Sequence, residues 1–114
     1  MIAFREEFKP LILAGTKTET RRLGRCRWRV GSVHQVTTNT RAPEAVFGRV
    51  RITSIRRDWL MNVSPAGVEA KGFRIKEEFV KEFARCYRIS QREARDCRCW
   101  VVTFELVEEE ESPA

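Results

Sequence analysis

The densest group of chemically capable side chains is the run Gly15-Thr16-Lys17-Thr18-Glu19-Thr20-Arg21-Arg22. Lysine offers a point charge, arginine a two-pronged donor that matches phosphate, and threonine a neutral hydroxyl. If the run is extended, alternate side chains share a face, with Thr16, Thr18, Thr20 and Arg22 on one side and Lys17, Glu19 and Arg21 on the other. The run predicts either a segment that binds an anionic ligand or an exposed connector whose charges pair with nearby glutamates.

The charge balance favours the first interpretation. The chain has 22 Lys and Arg against 16 Asp and Glu, a net charge of +6. Four of the acids are Glu108 to Glu111, so residues 1–107 alone carry a net charge of +10. A positive field of this kind favours anionic partners, nucleic acid first among them. A generally arginine-rich composition is the alternative explanation.

Composition and hydropathy exclude several classes of protein. With 42% apolar and 33% charged residues, the 114-residue chain is not expected to be disordered, collagen-like or a coiled coil. No apolar run is long enough for a transmembrane helix, so no membrane partner is expected. The stretch Met1 to Pro10 lacks the apolar core of a signal peptide, which predicts a cytoplasmic protein.

The four cysteines show no metal-binding pattern. Cys26, Cys86, Cys97 and Cys99 form no C-x-x-C pair, so we predict neither a metal site nor a cofactor. Buried free thiols, a disulfide and a four-thiolate cluster remain alternatives for these residues. His34 is the only histidine, and we interpret it as a structural residue.

Helical signals occur in four places. Apolar residues in 4–14 recur at helical spacing up to Gly15, with Pro10 in the first turn. Ser64 and Pro65 begin a short helix that ends at Gly72. The spacing of Phe79, Phe83 and Cys86/Tyr87 predicts an amphipathic helix over residues 76–87. Ser90 and Glu93 match a capping box that could start one further turn.

Alternating and β-branched segments predict three or four strands. They are Ser32–Thr37, a segment that starts at Val46 and carries Val50 and Ile52 on its buried face, and the segment from Trp100 to Val107. A break near Ile55 predicts a bulge, and Asp58 to Asn62 predicts a turn or short helix. Because the strands look half-buried, the class is α+β with a small antiparallel or mixed curled sheet.

Several of these segments together resemble the ASCH domains of the PUA-like superfamily. The first is Phe8-Lys-Pro-Leu-Ile-Leu-Ala-Gly-Thr-Lys-Thr-Glu-Thr-Arg-Arg, which is similar to the ASCH signature. The others follow in the family's order: Arg29-Val-Gly-Ser32, Ile52-Thr-Ser-Ile55, Ala70-Lys-Gly-Phe73 and Trp100-Val-Val-Thr-Phe-Glu105. The resemblance covers residues 2 to 107.

The resemblance implies a fold, a cleft and two classes of activity. The fold is a PUA-like small β-barrel with short helices packed at its openings, and the Gly15–Arg22 segment lines one wall of a cleft. Members generally bind RNA; one branch hydrolyses acetylated cytidine, and others are ribonucleases. By position, Lys17 and Thr20 match the lysine and threonine of the amidohydrolase branch. Its glutamate does not match, since Lys71 stands at that place; Glu69 is the nearest carboxylate.

We therefore expect one monomeric domain over residues 1–107, followed by an acidic, disordered tail over residues 108–114. The predicted function is binding of RNA or of a nucleotide or nucleoside ligand through a basic cleft. The residues expected to contact it are Lys17, Thr18, Thr20, Arg21, Arg22, Arg49 and Arg51. The alternative is an amidohydrolase that uses Lys17, Thr20 and Glu69, and a ribonuclease is a second alternative.

Overall fold

The computed structural model describes residues 1–70 and 72–107. Within them, five strands form one curled, mixed sheet that makes a half-barrel. The strands are β1 (Ile2–Ala3), β2 (Glu19–Arg22), β3 (Val33–Thr37), β4 (Val46–Trp59) and β5 (Arg98–Leu106). Their order across the sheet is β1-β3-β4-β5-β2, parallel between β1 and β3 and antiparallel elsewhere. The α+β class and the curled sheet are therefore confirmed.

A bulge in β4 decides which of its residues face the inside of the half-barrel. Ile52 pairs with Phe104 of β5, but Ile55 pairs with Val102, so one extra residue lies between them. Even-numbered residues of β4 therefore face inward before the bulge and odd-numbered residues after it. We call the side of the sheet that carries Val50, Val102 and Phe104 its inner face, and the opposite side its outer face.

The described residues also form four short α-helices: α1 (Lys9–Leu13), α2 (Pro65–Ala70), α3 (Lys76–Tyr87) and α4 (Gln91–Arg95). The start of α2 is capped as predicted, since the Ser64 hydroxyl accepts from the Gly67 N–H at 2.9 Å. Both hydrogen bonds of the capping box predicted at Ser90 and Glu93 are present at the start of α4. The bounds of α3 match the apolar spacing that predicted it.

Two apolar cores hold the helices on the sheet. One joins α3 and α4 to the side of β5 that carries Cys99 and Val101. The other fills the inner face of the sheet and includes Val36, Ile52 and Phe104. Because β5 lies between β4 and β2 and contributes to both cores, its buried side chains alternate between them.

The structure differs from the sequence-based expectation in three elements. The short edge strands β1 and β2 complete five strands instead of three or four. β4 continues through Asp58 and Trp59, where a turn was expected, and only Leu60–Asn62 forms a 3₁₀ turn. Both differences have the same cause: pairing with a neighbouring strand holds these segments in an extended conformation, and a single segment does not encode its pairing partner.

The acidic segment at residues 108–114, expected to be disordered, lies outside the described residues. Within residues 1–70 and 72–107, no helix has the length and apolarity needed to cross a bilayer.

Candidate functional site

A cavity of about 210 Å³ lies at the seam where the two edge strands approach each other, and we call it the seam cavity. β1 and the turn after it form one wall, the Lys17–Arg22 segment a second, and α3 the roof. Its lining residues are Ala3, Phe4, Arg5, Phe8, Lys17, Thr20, Arg21, Arg22, Phe73, Phe79, Glu82, Phe83, Cys86 and Tyr87. The family resemblance had implied a cleft along this same segment.

Lys17 is buried in the wall of the seam cavity. Only 4% of the residue is exposed, and its Nζ lies 4.5 Å from the centre of the Phe8 ring and 5.7 Å from that of Phe4. The ammonium donates to the Glu19 carbonyl at 3.3 Å. Aromatic faces and carbonyls replace part of the water that a buried ammonium loses. The site therefore holds a positive charge in an apolar setting.

Thr20 and Arg22 lie next to Lys17 and share one face of β2. The Arg22 Nε donates to the Thr20 hydroxyl at 3.1 Å, and its Nη2 donates to the Ala3 carbonyl at 2.9 Å. Arg22 thus links the two edges of the half-barrel across the seam. Burial lowers the pKa of Arg22 from its ordinary value, yet arginine stays charged in proteins. The Thr20 oxygen accepts from a fixed donor, so its own hydrogen can be directed to a ligand.

Glu82 brings a carboxylate to the cavity from α3. Its side chain is 23% exposed and accepts from Arg5, and from Arg85 at 2.6 Å. The Cys86 thiol, one turn later on α3, donates to the same carboxylate at 3.3 Å. The carboxylate is therefore held in place at the edge of an apolar roof, where it can accept from a ligand N–H.

Aromatic rings in edge-on or tilted contact form the apolar part of the cavity. Ring centres lie 5.6 Å apart for Phe8 and Phe73, and 5.5 Å apart for Phe73 and Phe79. The row continues from Phe79 to Phe83 at 6.0 Å and from Phe83 to Tyr87 at 4.7 Å. Such a row offers flat apolar surfaces that suit a planar ligand.

The structure brings together only part of the residue set expected from the sequence. Lys17, Thr20 and Arg22 meet in the seam cavity. Arg21 borders it, but its side chain is 2% exposed, and its Nη1 donates to the Trp59 carbonyl at 3.1 Å and contacts the Cys99 sulfur at 3.7 Å. Thr18 does not line the cavity; its backbone bonds Ala70 and Phe104.

Three other residues of that set lie away from the cavity. Arg49 and Arg51 are exposed on the outer face of β4, where Arg51 pairs with Glu105 at 3.4 Å. Glu69 is exposed on α2 and is absent from the lining of the seam cavity. The carboxylate that lines the cavity belongs to Glu82.

The sequence contained a signal for Glu82 that composition alone does not show. Residues 79, 82, 83 and 86 follow the spacing of one helix face, so Glu82 stands among the apolar residues of α3. A carboxylate on an apolar face is unusual and marks a candidate site. Arg5, Tyr87 and the phenylalanines carry no comparable signal, because only the folded chain brings them to residue 17.

The thiols do not form a site in the described part of the chain. None of the four cysteines forms a disulfide, and residues 1–70 and 72–107 contain no group of three or more His, Cys, Asp or Glu that could hold a metal ion.

Comparison with solved structures identifies the fold. Hypothetical protein PH0355 matches with a TM-score of 0.67 and 19% identity, covering 93% of this chain and 96% of that one. An ASCH domain from Lactobacillus crispatus matches with a TM-score of 0.63 and 20% identity, over 85% of this chain and 68% of that one. A mutant of ZmASCH from Zymomonas mobilis matches with a TM-score of 0.61 and 12% identity, over 91% and 66%.

No protein-family model and no curated protein matches the sequence. Identities of 20% or less to the solved structures support the architecture and not a shared activity. On this evidence the chain has the fold of an ASCH domain.

Proposed function

We propose that this protein is a small ASCH-type module that binds a base-containing ligand, a nucleotide or RNA, through the seam cavity. One observation carries the proposal: aromatic rings, a cation, a hydroxyl and a carboxylate all line the same cavity. A nucleobase has the matching chemistry, since it is flat, stacks on aromatic rings and carries both donors and acceptors at its edge.

Each polar group has a part in this proposal. Lys17 and the Thr20 hydroxyl donate to carbonyl or ring nitrogen acceptors of the base. The Glu82 carboxylate accepts from an exocyclic amine. Arg5 and Arg22 stand at the seam, where their guanidinium groups can bond a phosphate. At about 210 Å³ the cavity is smaller than the usual pocket for a drug-sized ligand, which is about 300 Å³ or more, so it suits one base.

Titration of the purified protein with nucleosides, nucleoside monophosphates and short RNAs tests this function. Thr20→Val keeps the shape of the side chain and removes its hydroxyl, so we expect base binding to weaken about tenfold, because a buried polar contact is left without its partner. The matched control is Thr53→Val, which makes the same change at an exposed position of β4. Equal affinity of both variants for every ligand would contradict the proposal.

A second candidate function is hydrolysis of a small amide, such as that of acetylated cytidine. The observation that favours it is that Lys17, Thr20 and Glu82 line one cavity, which supplies the carboxylate that the sequence lacked at the matching place. Water would add to the amide carbonyl and the amine would leave with a proton, giving acetate and the free amine. Glu82 is the group suited to move that proton, and Lys17 the group suited to stabilise the oxyanion.

Turnover of acetylated cytidine by two glutamate variants separates the two carboxylates. Glu82→Gln should lower the rate by about 100-fold or more, the usual loss for a general acid–base group, whereas Glu69→Gln should leave it unchanged. Lys17→Ala should abolish turnover. If no variant and no wild-type preparation releases acetate, the hydrolase candidate is wrong, while the binding function stands on its own titration. Gel analysis of the RNA recovered from the binding titration tests the ribonuclease alternative, because it shows cleavage directly.

A further inference from the structure

Beyond the seam cavity, the inner face of the sheet carries a strip in which arginine and tryptophan alternate. Trp100 of β5 lies directly opposite Arg22 of β2 and, on its other side, directly opposite Arg57 of β4. In the next row, Arg98 of β5 lies opposite Trp59 of β4. We call these five residues, Arg22, Trp100, Arg57, Arg98 and Trp59, the Arg–Trp strip.

The β4 bulge is the reason that the strip exists. After the bulge, Arg57 and Trp59 share a face with Ile55, which packs against the inner core. Without the extra residue, Arg56 and Asp58 would occupy these places. Asp58 instead pairs in register with Cys99 and bonds Asn62, so its carboxylate belongs to the outer face. The bulge thus keeps an arginine opposite Trp100 and places Trp59 instead of Asp58 opposite Arg98.

Contacts within the strip hold its arginines over aromatic rings. The Arg57 guanidinium lies 5.1 Å from the centre of the Trp100 ring, and that of Arg98 lies 5.6 Å from the centre of the Trp59 ring. A guanidinium that stacks on a ring keeps its N–H edges for a bidentate bond to phosphate. Trp59 is 50% exposed, which is high for so large an apolar side chain and leaves ring area for a further stacking partner.

The strip is continuous with the seam cavity. A second depression of about 300 Å³ lies between the two, and Arg22 and Tyr87 line both depressions. Trp100 and Trp28 also line the second depression, and Arg22 lies 5.5 Å from the centre of the Trp28 ring. A ligand that leaves the cavity past Arg22 therefore meets further cations and aromatic rings.

From this arrangement we propose that a single-stranded RNA runs along the Arg–Trp strip, with its neighbouring nucleotides on Trp100 and Trp59 and its phosphates on Arg57 and Arg98. Aromatic platforms interleaved with cations are the usual means of binding unpaired strands, because every base has a face that stacks and every linkage has a charge. A duplex hides its base faces and an acidic peptide has none. The inference extends the proposed function in that the strand's last base would enter the seam cavity.

Binding of labelled hexanucleotides of A, C and U, followed by fluorescence anisotropy, tests the proposal against a matched pair of arginines. Arg57→Ala and Trp59→Ala should each weaken binding about fivefold or more. Arg56→Ala removes the same charge from the neighbouring outer-face position and should leave affinity nearly unchanged. In a salt titration, the affinity of Arg57→Ala should depend less on salt than that of wild type. The slope of log affinity against log salt concentration should be smaller in magnitude by about 0.7, the value for one phosphate contact on a single strand.

Three results would overturn the strip. Arg56→Ala could weaken hexanucleotide binding as much as Arg57→Ala does, which would mean that affinity depends only on the net charge of the protein. A duplex of the same charge, or poly-glutamate, could compete as well as the single strand. Wild type could bind none of the hexanucleotides.

Mononucleotide titration keeps the two proposals apart. If Thr20→Val weakens mononucleotide binding while Arg57→Ala has no effect on hexanucleotides, the cavity function holds and the strip is wrong. If hexanucleotides bind through Arg57 and Trp59 while mononucleotides do not bind, the strip holds and the cavity function is wrong.

Discussion

At the scale of single residues, Arg21 and Arg22 show how neighbours in one motif take different tasks. Arg22 lies at the seam and bonds Thr20 and Ala3, whereas the Arg21 side chain is 2% exposed and bonds the Trp59 carbonyl. Arg21 ties β2 to the end of β4. An arginine in this motif is the residue type expected to contact a ligand, but the contacts that Arg21 makes are those of a structural residue.

Replacement of Arg21 therefore tests structure more than binding. Arg21→Ala removes a donor from a carbonyl and opens a space beside Cys99, so we expect a loss of about 2 kcal/mol in the free energy of unfolding. Urea denaturation measures this loss. Affinity of the folded fraction for nucleotides should stay close to wild type; a large loss of affinity with unchanged stability would assign Arg21 to the ligand instead.

His34 predicts a pH dependence of stability. Burial lowers the pKa of His34 from its ordinary value, and its Nε2 lies 2.8 Å from the Ser32 hydroxyl. Because the unfolded chain then binds the proton more readily, stability is full above the ordinary histidine pKa of about 6.5 and falls as the pH drops below it. Between neutral and mildly acidic pH, the urea midpoint of wild type should therefore fall more than that of His34→Gln. An identical pH response of both proteins would argue against this origin.

At the scale of elements, the connection between α2 and α3 sets one wall of the seam cavity. Gly72 has a φ of +89°, and a Cβ at this position would lie 2.7 Å from Leu11 and 3.2 Å from the Phe8 ring. Phe8 in turn packs against Lys17 and Phe73. The glycine lets α2 end close to the aromatic wall.

Two glycines with the same positive φ distinguish the cost of backbone strain from the cost of this close approach. Gly31 also has a φ of +89°, but a Cβ there would meet nothing within 4 Å. Gly31→Ala should cost about 1 kcal/mol for the left-handed backbone alone, and Gly72→Ala about 2 kcal/mol or more because the Leu11 side chain must move and the Phe8 ring must give way slightly. Chemical denaturation measures both. Equal losses would mean that the wall yields without cost.

At the scale of the whole molecule, charge is distributed unevenly along the chain. Residues 1–107 carry a net charge of +10, against +6 with the glutamates at 108–111 included. The larger charge attracts a polyanion over distances up to about a Debye length, roughly 10 Å at 0.1 M salt.

Removal of residues 108–114 should therefore raise the association rate with single-stranded RNA. The gain should be several-fold at low salt and disappear as the salt concentration rises, because screening removes long-range attraction. Stopped-flow measurements of both proteins at two salt concentrations give the comparison. A gain that persists at high salt would show that the segment acts by contact instead of by charge.

Some features of this protein were determined by the sequence alone. The helices could be predicted from three local signals: the spacing of apolar residues, the capping box of Ser90 and Glu93, and the helix start at Ser64 and Pro65. Caps and periodicity are local properties of the chain, so a single segment is enough to show them. The resemblance of the ordered motifs to ASCH domains predicted a curled α+β fold and implied a cleft along the Gly15–Arg22 run, whose Lys17 and Thr20 line the seam cavity.

Only the tertiary structure decided which side chains meet. Glu82 lines the same cavity as Lys17 although more than sixty residues of chain separate them, and Arg57 lies opposite Trp100 because one extra residue in β4 shifts its register. Arg21 is buried where its neighbour Arg22 faces the seam, since the strand alternates its side chains. Long-range contacts and register depend on pairing between distant segments, and no single segment specifies them.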